Sequence, residues 1–324
     1  MSVPIGSVES PIAGGGRVTA IRGRFQWHVV VFLAPAVLVY SAFMVFPLLD
    51  TLRLSLFTID AAGVTIFAGL DNYAILLTDP LWSPQFTGAL ANNVVFFVIH
   101  MVVQNPIGLG LALLLTQRVL RGRSIYRAAI FAPTVLSVVI IGFVWKLILS
   151  PSWGVAEGAL KAVGLGELFA PWLGLESTAL ATVSLMSVWQ WVGIPMLLFS
   201  AALLGIPDEI LEAARVDGAG PWRTFLRIQL PLIAPTVGIV AILTFVGNFN
   251  AFDLIYAVQG ALAGPNFSTD ILGTFFYRTF FGFQLQLGNP IMGATVAGAM
   301  FLIILLGVSL YLFGLQRRLQ RYEA

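Results

Sequence analysis

Six long apolar stretches dominate this chain, near residues 27–49, 88–115, 125–149, 178–204, 232–257 and 290–315. Crossing about 30 Å of hydrocarbon takes roughly 20 helical residues, because a helix rises about 1.5 Å per residue and lipid offers no partner to an open peptide group. Each stretch meets that length, and the gaps between them collect charge, glycine and proline. What remains cannot cover a soluble surface: of 324 residues 58% are hydrophobic and 10% charged, against about a quarter charged in ordinary soluble domains. Mean hydropathy is +0.92. The expected fold class is therefore an all-α integral membrane protein of about six transmembrane helices.

The first stretch follows Arg17, Arg22 and Arg24, the layout that opens a signal peptide, but it exceeds a signal h-region of roughly 7–15 residues. It reads as a retained span. Residues 1–26, rich in Gly, Pro and Ser, read as a disordered cytoplasmic tail, 27–315 as the membrane domain and 316–324 as a second cytoplasmic tail. Basic residues set the orientation, since cytoplasmic loops hold more of them. Of the 17 Lys and Arg, one side of the six-span arrangement holds Arg17, Arg22, Arg24, Arg118, Arg121, Arg123, Arg127, Arg215, Arg223, Arg227, Arg317, Arg318 and Arg321. The other side holds Arg53, Lys146, Lys161 and Arg278, among acids that include Asp60, Asp71, Asp79, Glu157 and Asp270. Both termini are expected in the cytoplasm.

Several function classes drop out. A net charge of +2 gives no electrostatic basis for holding nucleic acid, and no cysteine means no thiolate metal site or cysteine nucleophile. His28 and His100 are the only histidines and neither is followed by Glu, so there is no HExxH; no G-x-S-x-G occurs either. No catalytic residue and no metal ligand can be named. Lys146 and Lys161, the only lysines, follow Trp145 and Leu160 and so cannot end a phosphate-binding Gly-Lys-Ser/Thr loop. The chain does not hydrolyse ATP in the P-loop manner, and any ATP and Mg²⁺ it depends on must sit on another protein.

One internal loop is dense in both charge signs: IPDEILEAARVDGAGPWRTFLRIQLP, within 205–231. It reads as two short helices, the first with Pro207 in its opening turn, Asp208 and Glu209 at its positive end, and Gly218, Gly220 and Pro221 as its stop. Ile206, Ile210, Leu211 and Ala214 share one face, while Glu209, Glu212 and Arg215 lie on others. A helix this short is marginal alone in water and must pack against the bundle or a partner protein.

Glu212-Ala213-Ala214, three residues, Gly218, nine residues, Ile228, one residue and then Leu230-Pro231 resembles the EAA signature of permease subunits in binding-protein-dependent ABC importers. FAGLDNY, LRGRSIYRAAIFAPTVLS and GIPDEILEAARVDGA look like the sugar-uptake branch, on the side of the maltose and glycerol-phosphate permeases. The large periplasmic insertion and extra N-terminal spans of the maltose-type subunit are missing. The resemblance implies the type I importer permease fold in a bacterial inner membrane. It also implies a second homologous permease subunit, two ATPase subunits, an external solute-binding protein and a sugar substrate. Glu212 would pair with a basic ATPase residue, Ala213 and Ala214 would allow close approach, and Gly218 would make the turn, with Arg215 and Asp217 in the same contact. The sugar stays open between neutral and acidic oligosaccharides, alginate fragments among them. A self-sufficient secondary transporter is the alternative; it favours inverted repeats and paired intramembrane charges, and no such repeat is visible.

Polar residues inside spans are costly and face the bundle interior or a water-filled path. Ser187, Trp191 and Ile194 share a face of the fourth span, and Thr244, Asn248 and Ala251 a face of the fifth, with Gly247 adjacent. An aromatic ring opposite an amide, a hydroxyl and a small-residue gap suits a sugar, whose C–H faces stack while its hydroxyls pair. The resemblance places the transported sugar on these same positions. Gln190, Asn250, Trp189 and Asp253 are second choices. Asn93, His100 and Gln104 form a stripe on the second span beside Asn92 and Asn105, read as packing ahead of solute contact because interhelical amide bonds are common glue. Gly293, Ala294, Ala297 and Gly298 read as a close-approach surface.

Overall fold

The computed structural model describes residues 27–60, 62–117, 120–284 and 286–316. Arg17, Arg22, Arg24, Arg118, Arg317, Arg318 and Arg321, with the expected N-terminal tail, lie outside the described residues. The chain divides into two units, Met1–Leu48 and Leu49–Ala324. In the first, the helix Trp27–Tyr40 runs into a π-helical turn, Ser41–Val45. Phe32 and Phe43 are exposed there, as are most of their neighbours. Bare apolar side chains suit a helix whose solvent is lipid, since lipid tails are as apolar as Leu.

The second unit is helical apart from two short antiparallel hairpins, Phe57–Ile59 with Thr65–Phe67 and Gly282–Phe283 with Gln286–Leu287. Among the described residues three helices are long and apolar enough to cross a membrane, Val29–Leu54, Ser83–Thr116 and Pro290–Gly314. Three bent pairs bring the total to six if each pair is one span.

Each bend has a local cause. Arg123–Val135 and Val138–Ile148 meet at 99°, where Pro133 sits in a 3₁₀ turn and Leu136 and Ser137 turn to extended backbone. Glu176–Trp191 and Gly193–Leu204 meet at 45°, because Pro195 cannot donate to the carbonyl of Trp191 and its ring crowds that carbonyl. Pro221–Leu232 and Ala234–Phe249 meet at 69°, so the second loop helix leads directly into the fifth span. That span ends at Phe249 rather than near residue 257; Asp253–Gln259 is a separate helix. In the second span the helix widens into a π turn over His100–Gln104, with the Asn105 N–H reaching back to the His100 carbonyl. Pro106 drives this, since it has no N–H for the Val102 carbonyl.

The stretch between the fifth and sixth spans has helical structure of its own. Leu272–Phe281 is a helix whose Leu272, Phe275, Arg278 and Thr279 are buried. Asp270 and Arg278, both in the gap between these spans, form a buried ion pair with Arg278 Nη2 2.7 Å from Asp270 Oδ2. The small-residue surface of the last span does admit close neighbours. A Cβ on Gly293 would stand 2.7 Å from Phe280 Cβ, and one on Gly298 would collide with the Tyr73 hydroxyl.

Three apolar clusters hold the unit together. One joins Phe96, Ile141, Val183 and Met186 of the second to fourth spans to Ile255 of the helix Asp253–Gln259. A second gathers Leu76, Phe86, Phe249, Phe275 and Met292. The third, Ala112, Phe199, Leu203, Ile206, Ile233 and Val240, carries Leu211 and Leu230 of the charged loop against it.

Candidate functional site

The second, fourth and fifth spans enclose a cavity of about 300 Å³. Ser187, Trp191, Ile194, Thr244, Gly247, Asn248, Asn250 and Ala251 line it, as does Asp253. Gln190 does not. Its side chain is fully buried on the other flank of the helix, with neither amide atom hydrogen-bonded among the described residues. Trp189, the other second choice on this helix, stacks edge-on against Trp145 with ring centres 5.6 Å apart.

Periodicity placed the two faces opposite each other. It did not divide the second-span polar stripe, which does both jobs at once. Asn92 Nδ2 donates to the Asp270 carbonyl at 2.9 Å and Asn93 Nδ2 to the Asn248 carbonyl at 3.0 Å, while Asn93 Oδ1 accepts from Leu272 N at 3.1 Å. Asn105 Nδ2 donates to Thr244 Oγ1 at 3.2 Å. These amides are interhelical glue. His100 and Gln104, at the two ends of the π turn, line the cavity instead. His100 Nδ1 lies 2.7 Å from the Phe96 carbonyl, which only accepts, so Nδ1 carries a proton. Nε2 meets Ser187 Oγ at 3.0 Å and ties the second span to the fourth. The signal that could have identified them was Pro106, whose missing donor favours a π turn, a feature common at functional sites.

The cavity is tight because small residues let the helices approach. A Cβ on Gly193 would lie 2.9 Å from Phe131 Cα, and one on Gly108 3.0 Å from Pro195 Cβ. Side chains at those points would push the fourth span off its neighbours.

The charged loop forms the helix Asp208–Val216 and the helical start Pro221–Thr224. Pro207 precedes the first helix in extended conformation rather than sitting within its opening turn. Gly218, at φ +73°, ends it: the Ala219 N–H reaches the Ala214 carbonyl at 2.9 Å and the Gly218 N–H the Arg215 carbonyl at 3.0 Å. That pair of bonds is a Schellman cap, which needs a residue at ease in the left-handed region. Glu212, Ala213, Arg215, Asp217 and Gly218 are exposed. Ala214 is not: it is 5% exposed, on the inward face with Leu211 and Ile206. Of the two alanines only Ala213 is open to a partner, and the smallness of Ala214 serves the chain's own packing.

Comparison with known proteins agrees with this architecture. The profile of the family described as "Binding-protein-dependent transport system inner membrane component" matches residues 104–321. The probable ABC transporter permease protein YurN of Bacillus subtilis (strain 168) is 36% identical over 282 residues, covering 86% of this chain and 92% of YurN. The lactose transport system permease protein LacF of Rhizobium radiobacter is 32% identical, covering 82% of this chain and 87% of LacF. A crystal structure of a bacterial ABC transporter involved in the import of the acidic polysaccharide alginate contains a chain of the same fold. It matches with TM-score 0.71 at 21% identity, covering 91% of this chain and 96% of that one. This chain is thus a multi-pass inner-membrane permease subunit of an ABC importer rather than an enzyme, and it belongs to the family of binding-protein-dependent transport system inner membrane components.

Proposed function

We propose that this subunit forms half of the translocation path for a sugar or oligosaccharide, paired with a second homologous permease subunit and supplied by an external solute-binding protein. The observation that carries the reading is the cavity, which sets the Trp191 ring beside the amides of Gln104, Asn248 and Asn250. Stacking on the ring and hydrogen bonds to amides are what a polyhydroxylated solute requires. The names of relatives such as LacF support a sugar.

Two ATPase subunits drive transport, one docked on each permease. On this chain the docking element is Asp208–Val216, with Glu212, Ala213 and Arg215 facing the partner and Asp217 and Gly218 shaping its end. Anchoring of this helix to the third apolar cluster through Leu211 lets movement of the ATPase reach the fourth and fifth spans. The excess of arginine on the loop's side supports a cytoplasmic location for that loop and both termini. ATP and Mg²⁺ belong to the ATPase subunits, and this chain binds no cofactor of its own.

The test is ATP hydrolysis and solute uptake by the reconstituted complex, with the binding protein offered neutral and acidic oligosaccharides. Sugar-stimulated hydrolysis with uptake supports the reading. Uptake by this chain alone, driven by an ion gradient, would replace it with a secondary transporter.

A further inference from the structure

The cavity wall has a polarity bias that narrows its ligand. Asn248 Nδ2 is used inside the chain, donating to the Thr244 carbonyl at 2.7 Å, and Asn250 Nδ2 likewise donates to the Val246 carbonyl at 2.9 Å. Each back-bond takes one of the two N–H groups on its amide nitrogen and leaves the oxygen unused. Asn248 Oδ1 is buried without a partner among the described residues, and so is Gln104 Oε1. Both residues line the cavity, at 6% and 5% exposure. Both His100 ring nitrogens are occupied by Phe96 and Ser187, so no imidazole N–H is free for an anion. Thr244 is similarly engaged with the Val240 carbonyl at 2.8 Å. Among the described residues the one charged side chain on the wall is Asp253, which is exposed, and no Lys or Arg lines the cavity.

A buried acceptor without a donor costs about 1–3 kcal/mol, so these oxygens favour a ligand that brings O–H groups. A hydroxyl donates, whereas a carboxylate only accepts and would meet like-signed oxygens and the Asp253 charge.

Resting on the sugar-path reading above, we propose that this cavity selects uncharged polyhydroxylated sugars and rejects carboxylate-bearing ones, with Gln104 of the second span acting as a specificity residue beside Asn248. The selectivity is built into this chain and adds to whatever the binding protein imposes. The alginate importer shares the fold, and the wall described here lacks the positive charge that an acidic chain would need.

The experiment is equilibrium binding of radiolabelled maltotriose and trigalacturonate to the purified complex of this chain with its permease and ATPase partners, without binding protein, so that the first selection step is bypassed. Maltotriose is expected to bind at least about tenfold more tightly, a difference of about 1.4 kcal/mol. Gln104→Met, close in shape, should weaken maltotriose binding about tenfold. Asp253→Asn, at an exposed position, should narrow the neutral-to-acidic ratio several-fold, a change that a purely structural role would not produce. Co-elution of the variant complexes establishes that they assemble. Equal or tighter binding of trigalacturonate overturns the proposal while leaving a sugar path intact, and an unchanged ratio in both variants removes Gln104 and Asp253 from it. If neither sugar binds and neither stimulates ATP hydrolysis through the binding protein, the sugar-path reading itself falls, and this inference with it.

Discussion

Removing Asp270 should unlock the segment between the fifth and sixth spans. Arg278 is 2% exposed and Asp270 3%, and they meet through two hydrogen bonds, Nη1 to Oδ1 at 3.1 Å and Nη2 to Oδ2 at 2.7 Å. Asp270 Oδ1 also accepts from Thr274 Oγ1 at 2.7 Å, and Arg278 donates to the Ala261 carbonyl at 3.3 Å. The guanidinium stands 4.7 Å from the Phe267 ring centre and 5.5 Å from that of Phe275. In Asp270→Ala the guanidinium keeps one carbonyl and two ring faces but loses its counter-charge. Breaking a buried pair from one side costs about 3–5 kcal/mol. Replacing both members with apolar residues leaves no orphaned charge, so Asp270→Ala with Arg278→Met should cost less than the sum of the single changes by about 2 kcal/mol or more. Unfolding in mixed detergent and sodium dodecyl sulfate micelles, followed by circular dichroism, measures all four species. A single-variant cost under about 1 kcal/mol, or strict additivity in the cycle, would refute the reasoning that this pair is a structural lock.

Four further outcomes are expected. Glu212→Lys reverses the charge of an exposed side chain on the docking helix; it should leave membrane insertion and sugar binding intact and abolish uptake, and normal uptake by that variant would count against docking there. His100→Phe removes the bond to Ser187 at 3.0 Å and leaves that hydroxyl unsatisfied, a loss of about 1–3 kcal/mol; uptake should fall roughly ten- to a hundredfold, read as initial rates in proteoliposomes. Gly193→Val drives a side chain into Phe131, whose Cα is 2.9 Å from where a Cβ would lie, so about 1–3 kcal/mol of stability should go, visible as a lowered unfolding midpoint. Gly218→Val places a β-branched residue at φ +73°, costing about 1–2 kcal/mol at the end of the docking helix, and co-purification of ATPase should drop.

Much of this was legible in the residues. Length and apolarity are local properties, and the lipid requirement for internally bonded backbone makes them nearly sufficient to locate spans. The two faces of the fourth and fifth spans were readable for a similar reason: helical periodicity alone sets which side chains point together, and Ser187, Trp191, Thr244 and Asn248 do meet at one cavity. The helix Asp208–Val216 was legible because its charges, its glycine and its short apolar face follow local rules, down to the cap at Gly218.

What periodicity could not decide was which of several chemically equivalent residues would reach the cavity. Gln190 and Gln104 are both intramembrane amides; one packs inward and one lines the cavity, and only the neighbouring helices distinguish them. Asp270 and Arg278 lie in a gap between spans, and their pairing eight residues apart, around a turn into a helix, depends on a fold that neither residue encodes alone. Composition and spacing thus determined the membrane class, the apolar stretches and the helix of the charged loop, since each follows from backbone bonding and local periodicity. The buried pair and the unpaired acceptors of the cavity wall depend on contacts between distant segments, and only the tertiary structure could decide those.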